Sequence, residues 1–376
     1  MTGSGAPARA GPAAGGGEDL RWRREWEAVE ALLARGRKRG DTAAVAEAVR
    51  RCEAGLLPLV DANADPVRWA QAQQLLGRAL TLQGQRQVGT HALERAVAEL
   101  ERALQPLHRD AAPLDWAATQ HALGRALALL ARRRADTDSL EQAVAAFRAA
   151  LEVRTFEATP GDWALTQNDL GTALLTLGRH RDDKTLLKQA ADAYRAALRV
   201  WTRERVPLDW AATMDNLGTA LRLLGERRKG PRTLEQAVAA YRSALSERTR
   251  ERSPEAWALT QNNLGAALHR LGERVSDPGH LEAAIEAYGM ALEVWARERD
   301  AMTWAMTEAN RCAACKALAE VTGDPGPARA ALAGYRAVAQ VFRDASHPQY
   351  YELAVEQIAL TAKLEQRLRE AASPAG

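Results

Sequence analysis

The sequence predicts an all-α fold of repeated antiparallel helix pairs, about seven pairs followed by a C-terminal capping helix. The first observation is an aromatic residue that recurs every 47 residues, at Trp22, Trp69, Trp116, Trp163, Trp210, Trp257, Trp304 and Tyr351. The second is that apolar residues in each unit recur with the period of a helix. The third is a set of prolines and polar turns that divides each unit in two. Fixed self-similarity of this kind indicates a repeat architecture.

The spacing divides the 376-residue chain into six segments. These are a disordered Gly/Ala/Pro-rich lead (1–18), a degenerate N-terminal repeat (19–65), five repeats of 47 residues (66–300), a degenerate sixth repeat (301–347), a capping helix (348–372) and a short tail (373–376). The lead has the composition of a linker and no apolar stretch that resembles a signal peptide.

Both halves of a repeat have an apolar helical face. In the repeat that begins at Pro160, Trp163, Leu170 and Leu174 fall on one side when each residue advances about 100° around a helix. In the second half, Leu187 and Tyr194 belong to a continuous apolar stripe. Because neither helix can bury its face alone, each needs a neighbour.

Helix start signals agree with this division. First helices are expected to begin beside Pro113, Pro160, Pro207 and Pro254, where the missing N–H is tolerated. Second helices are expected to begin at two S/T-x-x-E/Q capping boxes, 139–142 and 233–236.

These residues resemble the tetratricopeptide (TPR) family, whose pattern contains a Leu-Gly pair in the first helix, Ala-x3-aromatic in the second and a closing proline. Here Leu170-Gly171, Ala190 with Tyr194, and Pro207 match it. The resemblance covers about residues 19–370 and implies a right-handed superhelix. Family units typically have 34 residues, so these long units look like those of kinesin light chain and of bacterial multi-repeat regulators. A HEAT or armadillo array is the alternative, against which the Leu-Gly and Ala-x3-Tyr pairs argue.

Two sets of residues are predicted to be structural. A glycine recurs in the first helix, at Gly77, Gly124, Gly171, Gly218 and Gly265. Since mid-helix glycine costs roughly 0.5–1 kcal/mol relative to alanine, we expect a close approach there, with Tyr194 or its equivalent over the gap. The repeated tryptophans Trp69, Trp116, Trp163, Trp210, Trp257 and Trp304 are predicted to lie in the core.

Charge and cysteine content limit the function classes. The 51 basic residues are nearly balanced by 48 acidic ones, so the net charge of +3 gives no field that attracts nucleic acid or membranes. Three cysteines, Cys52, Cys312 and Cys315, cannot form a disulfide framework, which indicates a reducing compartment and the cytoplasm by default. The Arg clusters at 132–134 and 227–229 fall in predicted turns among acidic residues.

Candidate chemistry is sparse. Cys312 and Cys315 have redox or metal spacing, but a redox site needs a βα context and a zinc site needs four ligands. Small residues that fill a helix interface are the preferred interpretation. No phosphate-binding loop, zinc-protease motif or nucleophile elbow occurs in the sequence. We therefore expect no enzyme activity, no metal and no cofactor.

The sequence predicts a protein-interaction scaffold that binds a peptide or partner protein, with no nucleic-acid or membrane partner. In the family, first helices line the concave side, and their polar stripe is the candidate groove. Its residues are Gln74, Arg78, His121, Arg125, Asn168, Thr172, Asp215, Asn216, Thr219, Asn262, Asn263, His269, Asn310 and Lys316. Amides can grip a peptide backbone, and Arg78 and Arg125 could bind carboxylates. The alternative is a regulatory or sensor module for a fused or separately encoded effector enzyme; self-association stays open.

Overall fold

The computed structural model describes residues 17–372, and these contain fifteen α-helices and no β-strand. The predicted all-α class and helix number are therefore confirmed for this part of the chain. The tail and almost all of the predicted lead lie outside the described residues. Residues 17 and 18, assigned to the lead from the sequence, belong to the first helix.

The helices alternate between long and short members. The long first helices are α1 (Gly17–Arg39), α3 (Pro66–Arg86), α5 (Pro113–Arg134), α7 (Pro160–His180), α9 (Pro207–Glu226), α11 (Pro254–Val275), α13 (Ala301–Thr322) and α15 (Pro348–Ala372). The second helices are α2 (Thr42–Arg51), α4 (His91–Leu104), α6 (Asp138–Leu151), α8 (Lys184–Ala197), α10 (Arg232–Leu245), α12 (Pro278–Leu292) and α14 (Pro325–Asp344). A π-helical turn (Cys52–Leu56) and a 3-10 turn (Leu57–Leu59) follow α2.

Helix starts follow the prolines but not the predicted capping boxes. The first helices α5, α7, α9 and α11 begin at the expected prolines. The second helices α6 and α10 do begin within one residue of the predicted boxes, but the box itself is wrong, because Ser139 and Thr233 lie inside the helices and neither acts as an N-cap. Asp136 instead accepts hydrogen bonds from the backbone N and the hydroxyl of Ser139, at 2.7 and 3.0 Å. Aspartate caps the start of α8 and α12 by the same means.

The chain divides into two compact units, residues 1–173 and 174–376, with the boundary inside α7. In the N-terminal unit, each helix from α3 to α6 packs on the next, and α1, α3 and α5 also touch each other as neighbouring first helices. In the C-terminal unit, consecutive helices pack from α8 to α15, and first helices again contact the next first helix. Stacked helix pairs thus provide the neighbour that each amphipathic face requires.

Mid-helix glycine lies against a buried ring at Gly124, Gly218 and Gly265, as predicted, whereas Gly77 lies against Leu100. A Cβ added to Gly124 would lie 2.8 Å from Phe147, and one added to Gly218 would lie 2.8 Å from Tyr241. The ring of Tyr241 has no exposed surface. The glycine therefore lets the two helices of a pair approach until the ring fills the space between them.

The sixth repeat keeps this contact by moving the glycine to the other helix. Cys312 occupies the place that Gly265 has one repeat earlier, and Tyr335 keeps the aromatic position. Gly334 lies beside Cys312 Sγ and Glu308 Oε1, where a Cβ would clash with both. Cys312 and Tyr335 are both buried, so the packing of this helix pair is not loose.

A second glycine position was missed from the sequence. Near the end of first helices, a Cβ on Gly225 would lie 2.8 Å from Leu234, and one on Gly272 would lie 2.7 Å from Leu281. Each leucine stands near the start of the following second helix. The glycine of the Leu-Gly motif and this later glycine therefore set the distance between the two helices at two levels along each helix pair.

The repeated tryptophans pack against the core without being fully enclosed. All six predicted positions, from Trp69 to Trp304, are half-buried, and the alanine that follows each tryptophan has no exposed surface. Trp69 and Trp116 contact the buried cluster that contains Leu107. The rings of Trp163 and Phe156 meet edge to face, with their centroids 5.4 Å apart. The deepest position of this stripe is thus the small residue next to the ring.

The closing helix α15 differs from the prediction at one residue. Ile358 and Leu368 pack against buried clusters, and Leu364 is itself buried. The sequence predicts that Leu353, Ile358, Leu364 and Leu368 all point inward, but Leu353 is 56% exposed and Ala354 takes the core position instead. Within residues 17–372, no helix has the length and apolar character needed to cross a bilayer.

Candidate ligand-binding faces of the first helices

The N-terminal unit contains a cavity of about 690 Å³ between the faces of its first helices. Its walls come from α1, α3 and α5, with contributions from Arg154 and the first turns of α7. All four predicted groove residues of α3 and α5 line it, namely Gln74, Arg78, His121 and Arg125. Four residues of the candidate groove thus lie around one cavity of the N-terminal unit.

The floor of this cavity is made of buried polar groups that connect neighbouring repeats. Gln74 and His121 were predicted as surface residues, but they are only 8% and 6% exposed, so that prediction was wrong. Gln74 Nε2 donates to Thr119 Oγ1 at 3.2 Å, and His121 Nε2 lies 3.1 Å from Asp169 Oδ2. Amphipathic periodicity cannot distinguish a solvated polar residue from one that bonds to the next repeat.

His121 is held neutral. Burial lowers its pKa below the ordinary value, and the opposing effect of Asp169 is smaller. Because an ionised carboxylate can only accept, the neutral imidazole carries its proton on Nε2 and retains Nδ1 as an acceptor. The floor is thus polar without adding positive charge.

Arginines form the rim. Arg78 makes a bidentate pair with Glu30, at 2.7 and 3.2 Å, and Arg125 Nε lies 3.8 Å from Asp169. Burial and the neighbouring charge of Arg78 lower the pKa of the Arg37 guanidinium. Arg37 has no ion-pair partner among the residues that the structure describes. At Arg37, the charges of Arg78 and Arg125 act against that of Glu30.

Two tryptophans complete one wall. The rings of Trp22 and Trp26 stack with centroids 5.1 Å apart. Trp22 is 8% exposed, and its buried Nε1 has no acceptor within the described part of the chain. A buried indole N–H ordinarily has a hydrogen-bond partner.

In the C-terminal unit, the repeat position that Gln74 and His121 occupy in the N-terminal unit is taken by a buried acid. Asp215, 47 residues after Asn168, is 4% exposed, so its predicted surface role is also corrected. Its carboxylate lies 3.5 Å from Arg248 and accepts from Asn263 Nδ2 at 3.4 Å. Burial raises the pKa of Asp215, and Arg248 opposes this effect.

His269 is the fourth predicted groove residue that the structure buries. Its Nε2 lies 3.4 Å from Glu273 Oε1, one helical turn later in α11. The side chain therefore belongs to a contact within its own helix. The sequence gave no signal that His269 is buried, because the residue at the same position of the next repeat is a lysine, Lys316, which is partly exposed.

The other predicted residues remain at least partly accessible. They are Asn168, Thr172, Asn216, Thr219, Asn262, Asn263, Asn310 and Lys316. Several of them bond to neighbours: Thr219 Oγ1 accepts from Tyr241 at 3.0 Å, and Lys316 Nζ donates to Gln357 at 3.3 Å. One repeat position carries an amide in four successive first helices, at Asn216, Asn263, Asn310 and Gln357; we call this set the amide row.

An apolar strip beside the amide row was missed from the sequence. Leu259, Met306 and Leu353 stand at successive 47-residue positions and are 45%, 52% and 56% exposed. We call these three residues the apolar rail. Its register corresponds to Ala118 and Leu165, which line the cavity of the N-terminal unit. Aligning the repeats would have shown large apolar residues on a face that solvation alone would make polar.

The remaining candidate chemistry is inert. Cys312 and Cys315 are buried, and burial raises the pKa of both thiols, so they are protonated at neutral pH. Burial likewise raises the pKa of Cys52 to about 12. Within residues 17–372 no group of three or more His, Cys, Asp or Glu side chains could hold a metal ion. The interface-filling interpretation of the two helical cysteines agrees with these positions.

Comparison with solved structures supports the fold. The C-terminal part of a TPR repeat-containing protein from Cytophaga hutchinsonii is similar over 90% of this chain and 99% of its own, with a TM-score of 0.51 and 11% identity. A circular tandem repeat protein matches over 95% of this chain and 99% of its own, at 16% identity, but its TM-score of 0.32 is too low to carry an argument. No protein-family model and no curated protein sequence matches the chain. The fold is a TPR-like helical repeat.

Proposed function

We propose that the chain is a non-enzymatic scaffold that binds a peptide or partner protein along its first helices. The observation that carries the proposal is the apolar rail beside the amide row in the C-terminal unit. Exposed large apolar residues at one register in three successive first helices are typical of an interaction surface. Amides beside them supply donors and acceptors for a peptide backbone.

We also propose that the repeat is a lengthened TPR unit, similar to those of kinesin light chain and bacterial multi-repeat regulators. Gly124 and Gly218 support this, since each meets an aromatic ring of its own helix pair. A right-handed superhelix with the first helices on its concave side is the expected arrangement. Buried unpaired cysteines favour the cytoplasm as its location.

The test is to select peptides from a random library against the full chain and to measure their affinity by calorimetry. We expect selected peptides to share recurring apolar residues. The triple variant Leu259→Gln, Met306→Gln, Leu353→Gln should weaken their binding at least about tenfold. The reason is that full burial of each apolar side chain in the complex would contribute about 1.5–3 kcal/mol, which glutamine does not supply.

A matched control replaces exposed apolar residues away from the rail, Val88→Gln with Val275→Gln. This variant should bind the selected peptides like the wild type. Failure to select any peptide, or equal losses in the rail variant and the control, would contradict the proposal.

A further inference from the structure

We infer that the cavity of the N-terminal unit is a small-molecule site that binds a nucleoside phosphate, separate from the peptide surface of the C-terminal unit. The inference does not rest on the proposed scaffold function. It follows from three features of one cavity: its size, its excess of positive charge and its aromatic wall. A volume of about 690 Å³ lies within the range of about 300–1,000 Å³ that small-molecule sites occupy.

The charge of the rim favours an anion. Arg37, Arg78 and Arg125 interact electrostatically, and Glu30 is the carboxylate that acts on Arg37. The lining carboxylate Asp115 stands ten residues before Arg125 in α5, about 15 Å along the helix axis. Asp162 lies at the corresponding place in the first turn of α7. Asp115 is therefore distant from Arg125, while Glu30 and Asp169 lie beside Arg78 and Arg125. A phosphate group would supply an acceptor for Arg37, which has no ion-pair partner among the described residues.

The aromatic wall favours a planar group. Trp22 and Trp26 both line the cavity and stack on each other. Base stacking on an aromatic side chain contributes about 1–3 kcal/mol per base.

The floor favours a group with hydrogen-bonding edges. Gln74 gives its amide N–H to Thr119, so its carbonyl oxygen is available as an acceptor. Neutral His121 retains Nδ1 in the same role. Arg154, 7% exposed, donates to Thr166 at 3.0 Å and lines the same cavity. A floor of this kind matches the polar edge of a base better than the apolar side chains of a peptide.

The test titrates the full chain with ADP, GDP, CDP and UDP by calorimetry, beside adenosine, inorganic pyrophosphate and acetylated tetraglutamate. We expect one of the diphosphates to bind with a Kd of about 0.1 mM or below. The nucleoside and pyrophosphate should each bind at least about tenfold more weakly, because each lacks half of the contacts.

Variants locate the site. Arg37→Gln and Arg125→Gln alter exposed side chains, so neither should unfold the chain, and each should weaken binding about tenfold or more. The matched control is Arg132→Gln, an exposed arginine of α5 outside the cavity, which should leave the affinity unchanged. Trp26→Leu should reduce the affinity for the diphosphate but not for pyrophosphate.

Four outcomes would overturn the inference. They are no binding of any nucleotide, equal affinity for pyrophosphate, an unchanged affinity in both arginine variants, and tighter binding of tetraglutamate at the same site. The last would assign the cavity to an acidic segment of a partner protein. None of these outcomes affects the test of the apolar rail, whose residues lie in the C-terminal unit.

Discussion

The two units present different chemistry at equal positions of the same repeat. Where the N-terminal unit has Arg78 and Arg125, the C-terminal unit has Ala266, Ala313 and Leu360. Where the first has Ala118 and Leu165 in a cavity wall, the second has the exposed apolar rail. One face is cationic and aromatic, and the other is apolar with an amide row.

The interior diverges less. Phe147 lies over Gly124 in the N-terminal unit, and Tyr241 lies over Gly218 in the C-terminal unit. Packing therefore fixes the residues between helices, while the outward face of the first helices is free to change from repeat to repeat. A repeat protein can thus carry two binding chemistries on one framework.

The largest expected effect tests whether the interior is really common to both units. Phe147→Ala and Tyr241→Ala should each lower the free energy of unfolding by about 3–5 kcal/mol, because each ring is almost fully buried. Urea unfolding followed by circular dichroism measures both. The control Tyr241→Phe removes only the hydroxyl that bonds to Thr219 and should cost about 1 kcal/mol. A loss below that value for either alanine variant would show that the units differ in their core.

An effect of intermediate size is the pH dependence of stability, which should differ between His121 in the N-terminal unit and Asp215 in the C-terminal unit. The folded state lowers the pKa of His121, so the unfolded chain takes up the proton first when the pH falls below about 6.5. Wild-type stability should therefore fall relative to His121→Gln by up to about 1.4 kcal/mol per pH unit below that point. Glutamine is the residue at this register one repeat earlier.

The comparison variant is Asp215→Asn in the other unit, measured by urea unfolding across the same pH range. Burial raises the pKa of Asp215, so the stability of the wild type relative to this variant should fall as the pH rises above about 3.8. The two variants thus predict opposite slopes. A His121→Gln difference that does not change with pH would show that His121 is not buried in the neutral form.

The smallest effect concerns the apolar rail. Leu353→Gln should change the free energy of unfolding by no more than about 0.5 kcal/mol, since the side chain is mostly exposed. Leu364→Ala, in the same helix but buried, should cost about 2–5 kcal/mol. If thermal and urea unfolding showed a similar loss for both, Leu353 would be part of the core and not of a binding surface.

The sequence by itself determined the repeat length, the helical class and the identity of some of the packing residues. Period alone places Gly218 and Tyr241 in facing helices, and prolines mark the helix starts, because these signals depend on local geometry that every repeat shares. It also indicated candidate site residues on the first helices, and four of these line the cavity of the N-terminal unit.

Only the tertiary structure decided which polar residues are available. Gln74, His121 and Asp215 have the pattern of a solvated stripe, yet each bonds to a residue of the next repeat, between 45 and 48 positions away. Aligned repeats place the apolar rail on the polar face, but only the stacked structure shows how much of each side chain stays exposed. Burial is a property of stacked repeats, and a single helix contains no information about what the next one covers.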